Sequence, residues 1–346
     1  MGAFREKEIL KVGLFYPDLD KEGGYPRDVL RLFKELESKD GIKVKKIKSL
    51  PQLLVSLKKL DCVHVFGFFS FKIFLTCLLC IVFNKKYIVS VFGQLLPGAL
   101  SIGKLKKIFF INCFGRFILR RASKIHVFTD YEAKELIKYQ ISTPTFKSFF
   151  GIYPEDVKNT QEIMPLVMKK PFLLFFGRLD IHQKGLNILL EGFKKYSIKS
   201  EMFDLVISGR NYNNGNLYIE NFLRKNNSKS RIHFLGEVTE VEKEALYSYA
   251  AAIIYPCHFD GNPRPLRHAL CRKKKILTTF QTNFADQLEP HNWGVLFENT
   301  SLDLAEGIEK FEEVSTKIPY EEPSKTRSWD YCSNEFMVAY AATINN

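Results

Sequence analysis

What this 346-residue chain lacks narrows the classes it can join. No apolar run reaches the roughly 20 residues of a membrane-spanning helix. The longest candidate, FFSFKIFLTCLLCIVF at 68–83, has 16 residues and contains Lys72, so a helix packed in the interior is expected there. The opening MGAFREKEIL has no apolar core of the kind a signal peptide needs, and Glu6 stands where a myristoylation signal has Ser or Thr. Retention inside the cell is the expectation. The seven cysteines are odd in number and scattered, and Cys77 with Cys80 has no second pair to complete a zinc site. Buried, reduced thiols follow. No G-x-G-x-x-G comes after the first apolar run and no G-x-x-x-x-G-K-[ST] occurs anywhere, which argues against a dinucleotide dehydrogenase and a P-loop nucleotidase. No H-E-x-x-H offers a metal site. His64 and His126 lie inside apolar runs and read as hydrogen-bonded core residues, not ligands.

What is present is strongly asymmetric. Residues 1–160 hold 28 Lys and Arg against 15 Asp and Glu, a net of +13, whereas the remainder holds 23 against 23. The whole excess therefore sits in the N-terminal half and points to an anionic partner, nucleic acid or an acidic membrane surface. Nucleic acid has only the charge in its favour, since no recognition motif accompanies it. Residues 104–124, KLKKIFFINCFGRFILRRASK, carry seven cations, no acid and four phenylalanines. Such a segment suits an anionic membrane surface, or equally an ordinary helix with one core face and one solvated basic face.

Short apolar runs alternate with stretches of helical spacing along the whole chain. ILKVGLFYP, IKVKKI, DCVHVFGF, KKYIVSVFG and KIHVFTD read as strands of a first parallel sheet. PFLLFFG, FDLVISG, RIHFLG, AAIIYP and KKILTT read as strands of a second. The expected architecture is α/β, with two Rossmann-like domains facing a central cleft. The boundaries are 1–160 for a basic first domain and 161–325 for a second, with 326–346 as a closing helix and 151–170 as the linker. In FFGRLDIHQKGLNILLEGF a buried strand ends at Gly177 and a helix starts after Gly185, with Arg178 and Lys184 in between. Helix N-termini already attract anions, so two added cations there point to an anionic ligand.

These segments carry a resemblance. The chain resembles the GT-B retaining glycosyltransferases (group 1, family four) that build bacterial surface polysaccharides. The likeness runs over nearly the whole chain through YPDLDKEGGYPRDVLRLFKEL, SVFGQLLPGAL, FFGRLDIHQKGLNILLEGF, RIHFLGEVTEVEKEALYSYA and FDGNPRPLRHAL. SWDYCSNEFMVAY resembles the family's last helix, which crosses back to the first domain. The resemblance implies a metal-independent hexosyltransferase with no cofactor. Its donor would be a UDP- or GDP-sugar and its acceptor an anionic lipid-linked saccharide, lipopolysaccharide or capsule-type polysaccharide. It would work in the cytoplasm at the inner face of the membrane, without nucleic acid.

By the same resemblance Arg178, Lys184 and Asp260 are catalytic. Gly23, Gly24, Gly177, Gly209, Gly261, Asn262 and His268 bind the donor, and Phe92 and Gly93 lie on the acceptor side. Three positions depart from the family pattern. Asp260 stands where the first Glu of Glu-x7-Glu does, one methylene shorter but still a carboxylate. His268 stands where the second Glu of Glu-x7-Glu holds the donor ribose. It can bind ribose less tightly, favour another nucleotide together with Arg267, or make no donor contact at all. Phe92 replaces a histidine that in many relatives touches the donor sugar. A catalytically impaired protein that partners another glycosyltransferase is the alternative these departures raise.

Overall fold

The computed structural model describes residues 9–20, 24–151, 170–226, 231–288, 293–314 and 328–345. The chain divides into two compact units, Met1–Gly151 with Lys325–Asn346, and Ile152–Ser324. The expected boundaries at 160 and 325, most of the 151–170 linker and Gly23 lie outside the described residues.

In the first unit the order is β1 (Leu10–Phe15), α1 (Gly24–Glu37), β2 (Ile42–Ile47), α2 (Leu50–Leu57), β3 (Cys62–Phe66), α3 (Phe71–Val82) and β4 (Lys86–Ser90). It continues with α4 (Pro97–Ser101), α5 (Lys104–Phe110), a π turn at Ile111–Gly115, α6 (Arg116–Arg121), β5 (Lys124–Val127), α7 (Asp130–Lys138) and β6 (Thr145–Lys147). All pairings are parallel, in the order β2-β1-β3-β4-β5-β6. Helices cover both faces of such a sheet, so a central strand such as β3 (CVHVF) is buried along its whole length instead of alternating. The 68–83 run forms α3, and among the described residues no helix is long and apolar enough to cross a membrane.

The second unit repeats the plan. It runs β7 (Phe172–Phe176), α8 (Leu186–Lys199), β8 (Asp204–Ser208), α9 (Gly215–Asn226), β9 (Ile232–Gly236), α10 (Glu240–Tyr249) and β10 (Ala252–Tyr255). Then come α11 (Arg264–Cys271), β11 (Lys275–Thr279), α12 (Ala285–Leu288), β12 (Gly294–Phe297) and α13 (Ser301–Val314). Its parallel strands lie in the order β12-β11-β10-β7-β8-β9. The order reverses at β7: chain succession proceeds through β8 and β9 on one side and β10, β11 and β12 on the other. Such a reversal leaves a crevice beyond the carboxyl ends of the two strands that flank it, here β7 and β10.

The last helix, α14 (Trp329–Asn345), belongs to the first unit and packs on α1, β1 and β3. Its Tyr340 hydroxyl is 2.8 Å from His64 Nδ1, and Ser90 Oγ lies 2.7 Å from both His64 Nε2 and His126 Nδ1. Ser148 O completes the chain at 2.9 Å from His126 Nε2. Both histidines are fully buried core residues with each ring nitrogen partnered. Burial lowers the pKa of His126 to about 4, and burial with the charge of His126 holds His64 well below its usual value.

The fold therefore keeps both imidazoles neutral, while the unfolded chain protonates them near pH 6.5. Their contribution is complete above that pH and is lost as pH falls toward 4, because the unfolded state then binds more protons. Calorimetry should show stability falling by up to about 1.4 kcal/mol per pH unit for each histidine in that window. A His126→Asn protein should lose one share of the slope. A slope that this substitution leaves unchanged would refute the assignment.

Cysteine burial is less uniform than expected: no disulfide joins the seven, but Cys113 on the π turn is exposed and Cys271 is half-buried.

Candidate active site

The site in the second unit is built from the loops that leave β7, β8 and β10. β7 ends at Gly177, whose N–H donates to Ser208 O (3.1 Å), and the chain stays beside the β8 exit through Leu179 N to Arg210 O (2.9 Å). Gly209 is required there, because a Cβ on it would lie 1.7 Å from Gly177 O. At Gly177 itself a side chain would make only ordinary contacts, 3.6 Å from Tyr255 and 3.8 Å from Pro265, so crowding inside the protein does not explain that glycine.

Asp180 then turns the loop. Its Oδ1 accepts from the N–H groups of His182 (3.1 Å) and Gln183 (2.9 Å), the local turn that short carboxylates favour. Gly185, with φ +69°, caps α8.

The turn holds the two cations differently. Arg178 is about two-fifths exposed; its guanidinium stacks on the Tyr212 ring at 4.2 Å and donates to Gln183 Oε1. The planar fork is thus oriented while remaining open to a ligand. Lys184 is largely buried, and its Nζ donates to Asp260 Oδ2 at 2.5 Å. Asp260 comes from the β10 exit, so this ion pair joins the two loops at the strand-order reversal. His258 N to Gln183 O (3.0 Å) joins them again through backbone.

Asp260 is held from several directions. The Tyr255 hydroxyl donates to the same Oδ2 (2.8 Å), and Asn262 N donates to Oδ1 (3.2 Å). Asn283 N donates to the Asp260 carbonyl, and Asn283 Nδ2 to Gly261 O, both at 2.9 Å. Burial pushes the Asp260 carboxyl up, but the Lys184 charge and the bonds from Lys184, Tyr255 and Asn262 outweigh it and hold the pKa below the usual value. The carboxylate is ionised at neutral pH. Tyr255, Tyr212, Gln183 and Asn283 escaped the sequence reading. Only Tyr255 left a signal: it puts a hydroxyl at the end of the buried run AIIY, and a buried tyrosine hydroxyl needs a partner.

Gly177, Arg178, Lys184, Gly209, Asp260, Gly261 and Asn262 are thus brought together at these loops. His268 sits farther along, on α11, among a different set of partners. Arg272 Nη1 is 3.4 Å from its Nδ1, the Tyr247 ring is 6.1 Å away, and Arg272 is itself paired with buried Glu244. Burial, followed by the charges of Arg272, Lys243, Arg264 and Arg267, lowers the His268 pKa well below its usual value. The imidazole is neutral, and with Nδ1 facing a donor its proton is on Nε2. It offers one N–H where a glutamate would offer acceptor oxygens.

Gly24 opens α1 in the first unit, where Phe92 and Gly93 also lie. Phe92 is only 4% exposed. It stacks on Tyr25 (4.3 Å), Phe66 and Phe128, because a phenyl ring with no hydrogen-bonding group is best satisfied by burial. Phe92 and Gly93 have φ of +55° and +68°, and the loop is held by the Gly93 N–H on the buried Glu132 carboxylate. Among the described residues no group of three His, Cys, Asp or Glu side chains could hold a metal ion.

Residues 156–325 match the family model described as Glycosyl transferases group 1. No curated protein matches the chain in sequence. Solved structures resemble it over almost its whole length. Sucrose-phosphate synthase from Thermosynechococcus elongatus has a TM-score of 0.75 at 13% identity, with 97% of this chain and 99% of that one covered. The apo form of the lipopolysaccharide outer core galactosyltransferase WaaB gives 0.68 at 13% identity, covering 96% and 99%. HepE from Anabaena, in complex with UDP and glucose, gives 0.62 at 15% identity, covering 97% of each chain. The shared fold is GT-B.

Proposed function

We propose that this chain, whose residues 156–325 match the group 1 glycosyltransferase family model, is a glycosyltransferase in which the loops leaving β7 and β10 hold the diphosphate of a nucleotide-sugar. The observation that carries this is the Lys184–Asp260 pair at the strand-order reversal, with the Arg178 fork oriented beside it. A UDP- or GDP-sugar fits these charges, and HepE, of the same fold, is described with UDP.

When the bond from the anomeric carbon to the phosphate oxygen breaks, negative charge grows on the departing diphosphate and positive charge on the sugar. Arg178 and Lys184 face the first, which stabilises the transition state more than the bound donor, and Asp260 opposes the second. These side chains supply the charge without a metal. When Lys184 turns toward phosphate, the Tyr255 hydroxyl and Asn262 N–H still bond Asp260, and the bound sugar's developing positive charge replaces the lysine as its counter-charge. Transfer proceeds with retention, the leaving phosphate taking the acceptor's proton. The acceptor is a lipid-linked or lipopolysaccharide-type saccharide at the cytoplasmic membrane surface, a reading that the basic first 160 residues support.

The test is thermal stabilisation and donor hydrolysis across UDP-, GDP- and ADP-sugars. One nucleotide class should stabilise the protein, and Arg178→Ala should weaken its binding about 10- to 100-fold, the worth of a charged hydrogen bond. Equal binding by Arg178→Ala would remove the diphosphate from this site. The donor-only character of His268 favours a second reading, an impaired enzyme that serves as a partner. Silence from the native protein with recovery in His268→Glu would put that reading first.

A further inference from the structure

The first unit carries an apolar surface that its own fold does not cover. Leu105 is 85% exposed, Phe109 64% and Phe71 61%. Phe71 and Phe109 are far apart in sequence but belong to one strip. Phe71 meets Phe74 at 5.8 Å, Phe74 meets Phe114 at 4.9 Å, and Phe114 meets Phe109 at 6.4 Å. The π turn after α5 contributes directly, since its i→i+5 bonding sets residues five apart, such as Phe109 and Phe114, on one face.

The charge around this strip has a single sign. Between Asp61 and Asp130 the sequence holds ten Lys and Arg and no Asp or Glu. Lys72 adjoins Phe71, and Lys104 and Lys106 flank Leu105, all three exposed. Arg121 lies over the exposed Phe117 ring at 5.1 Å, and Lys107 over Phe69 at 5.4 Å. The Phe117 and Phe69 rings are thus topped by cations that can reach past them.

We propose that α3, α5 and the π turn between α5 and α6 form a docking surface for an anionic phospholipid bilayer, with Phe71, Leu105 and Phe109 entering the acyl boundary and Lys72, Lys104 and Lys106 meeting the headgroups. An exposed apolar ridge ringed by one sign of charge matches a surface that is apolar beneath and anionic on top. A soluble acidic partner would account for the cations but not for three large apolar side chains held out between them. The proposal rests on the peripheral-membrane part of the proposed function, and it names the residues that perform it.

The full-length protein is sedimented with vesicles of phosphatidylcholine alone and of phosphatidylcholine with phosphatidylglycerol. Binding should favour the anionic vesicles at least tenfold and weaken with salt. Leu105→Glu/Phe109→Glu and, separately, Phe71→Glu should each cut binding at least tenfold, with unfolding temperature and nucleotide binding unchanged. Lys104→Ser and Lys106→Ser should each cost about fivefold and reduce the salt dependence. If the native protein ignores both vesicles, the peripheral-membrane reading falls and the proposal with it. If it binds anionic vesicles and the apolar variants bind as well as it does, the surface is misassigned while peripheral binding stands.

Discussion

Lys184→Ala should abolish sugar transfer, by about a thousandfold, and should also change how the protein's stability depends on pH. The rate loss follows from the proposed role of Lys184 as a cation facing the departing diphosphate. The stability change follows from Asp260, which is largely buried and now ion-paired. Breaking a buried pair from one side costs about 3–5 kcal/mol, because the remaining charge is left uncompensated.

With Lys184 present, the Asp260 carboxyl titrates below its usual value, so its stabilising effect is complete above that value and fades only in acid. Without Lys184, burial dominates and the folded carboxyl is pushed up. The unfolded state then binds fewer protons than the folded one, and stability should drop as pH rises above about 4. Scanning calorimetry should therefore show that the stability deficit of Lys184→Ala relative to the native protein shrinks from pH 7 to pH 5, since the buried histidines contribute equally to both. Lys184→Ala/Asp260→Asn should recover much of the stability and none of the activity. A deficit that does not change with pH would show that the pair is not coupled as described. Tyr255→Phe should fall between these extremes, since Asp260 keeps Lys184 but loses one donor on Oδ2.

Gly185→Ala is expected to be severely damaging for a single methyl group. Its φ of +69° alone costs an L-residue about 1–2 kcal/mol. Beyond that, the new Cβ would lie 1.7 Å from Pro256 O and 2.8 Å from Pro256 C. These are backbone atoms at the β10 exit, so relief requires the β7 and β10 loops to part, and with them Lys184 and Asp260. We expect a loss above about 3 kcal/mol in urea unfolding, together with loss of nucleoside diphosphate binding. Gly41→Ala is the control. Its φ of +82° is just as unusual, but nothing lies within 4 Å of a Cβ there, so only the backbone cost of about 1–2 kcal/mol should appear. Equal losses for both variants would mean that strain alone, and not the contact between the two loops, governs position 185.

Much of the architecture was legible in the sequence. Buried parallel strands read as short continuous apolar runs, helices between them as 3.6-residue spacing, and the two patterns alternate along both halves. Arg178 and Lys184 were legible because their signal is local: a strand, a turn with two cations and a helix start lie within 15 residues. So was the excess of positive charge in the first 160 residues, which is a matter of counting.

The tertiary structure decided what depends on neighbours remote in sequence. Lys184 meets Asp260 across 76 positions only because β10 lies beside β7, and local pattern does not fix strand order. Tyr255 serves Asp260 for the same reason. The protonation of His268, His64 and His126 follows from burial and from charges on other elements, so composition says nothing about it. The packing of Tyr25, Phe66 and Phe128 around the Phe92 ring likewise depends on residues remote in sequence. Residues 104–124 could be read as a membrane face or as a solvated helix. Phe71, brought in from α3, joins their aromatic rings into one exposed strip.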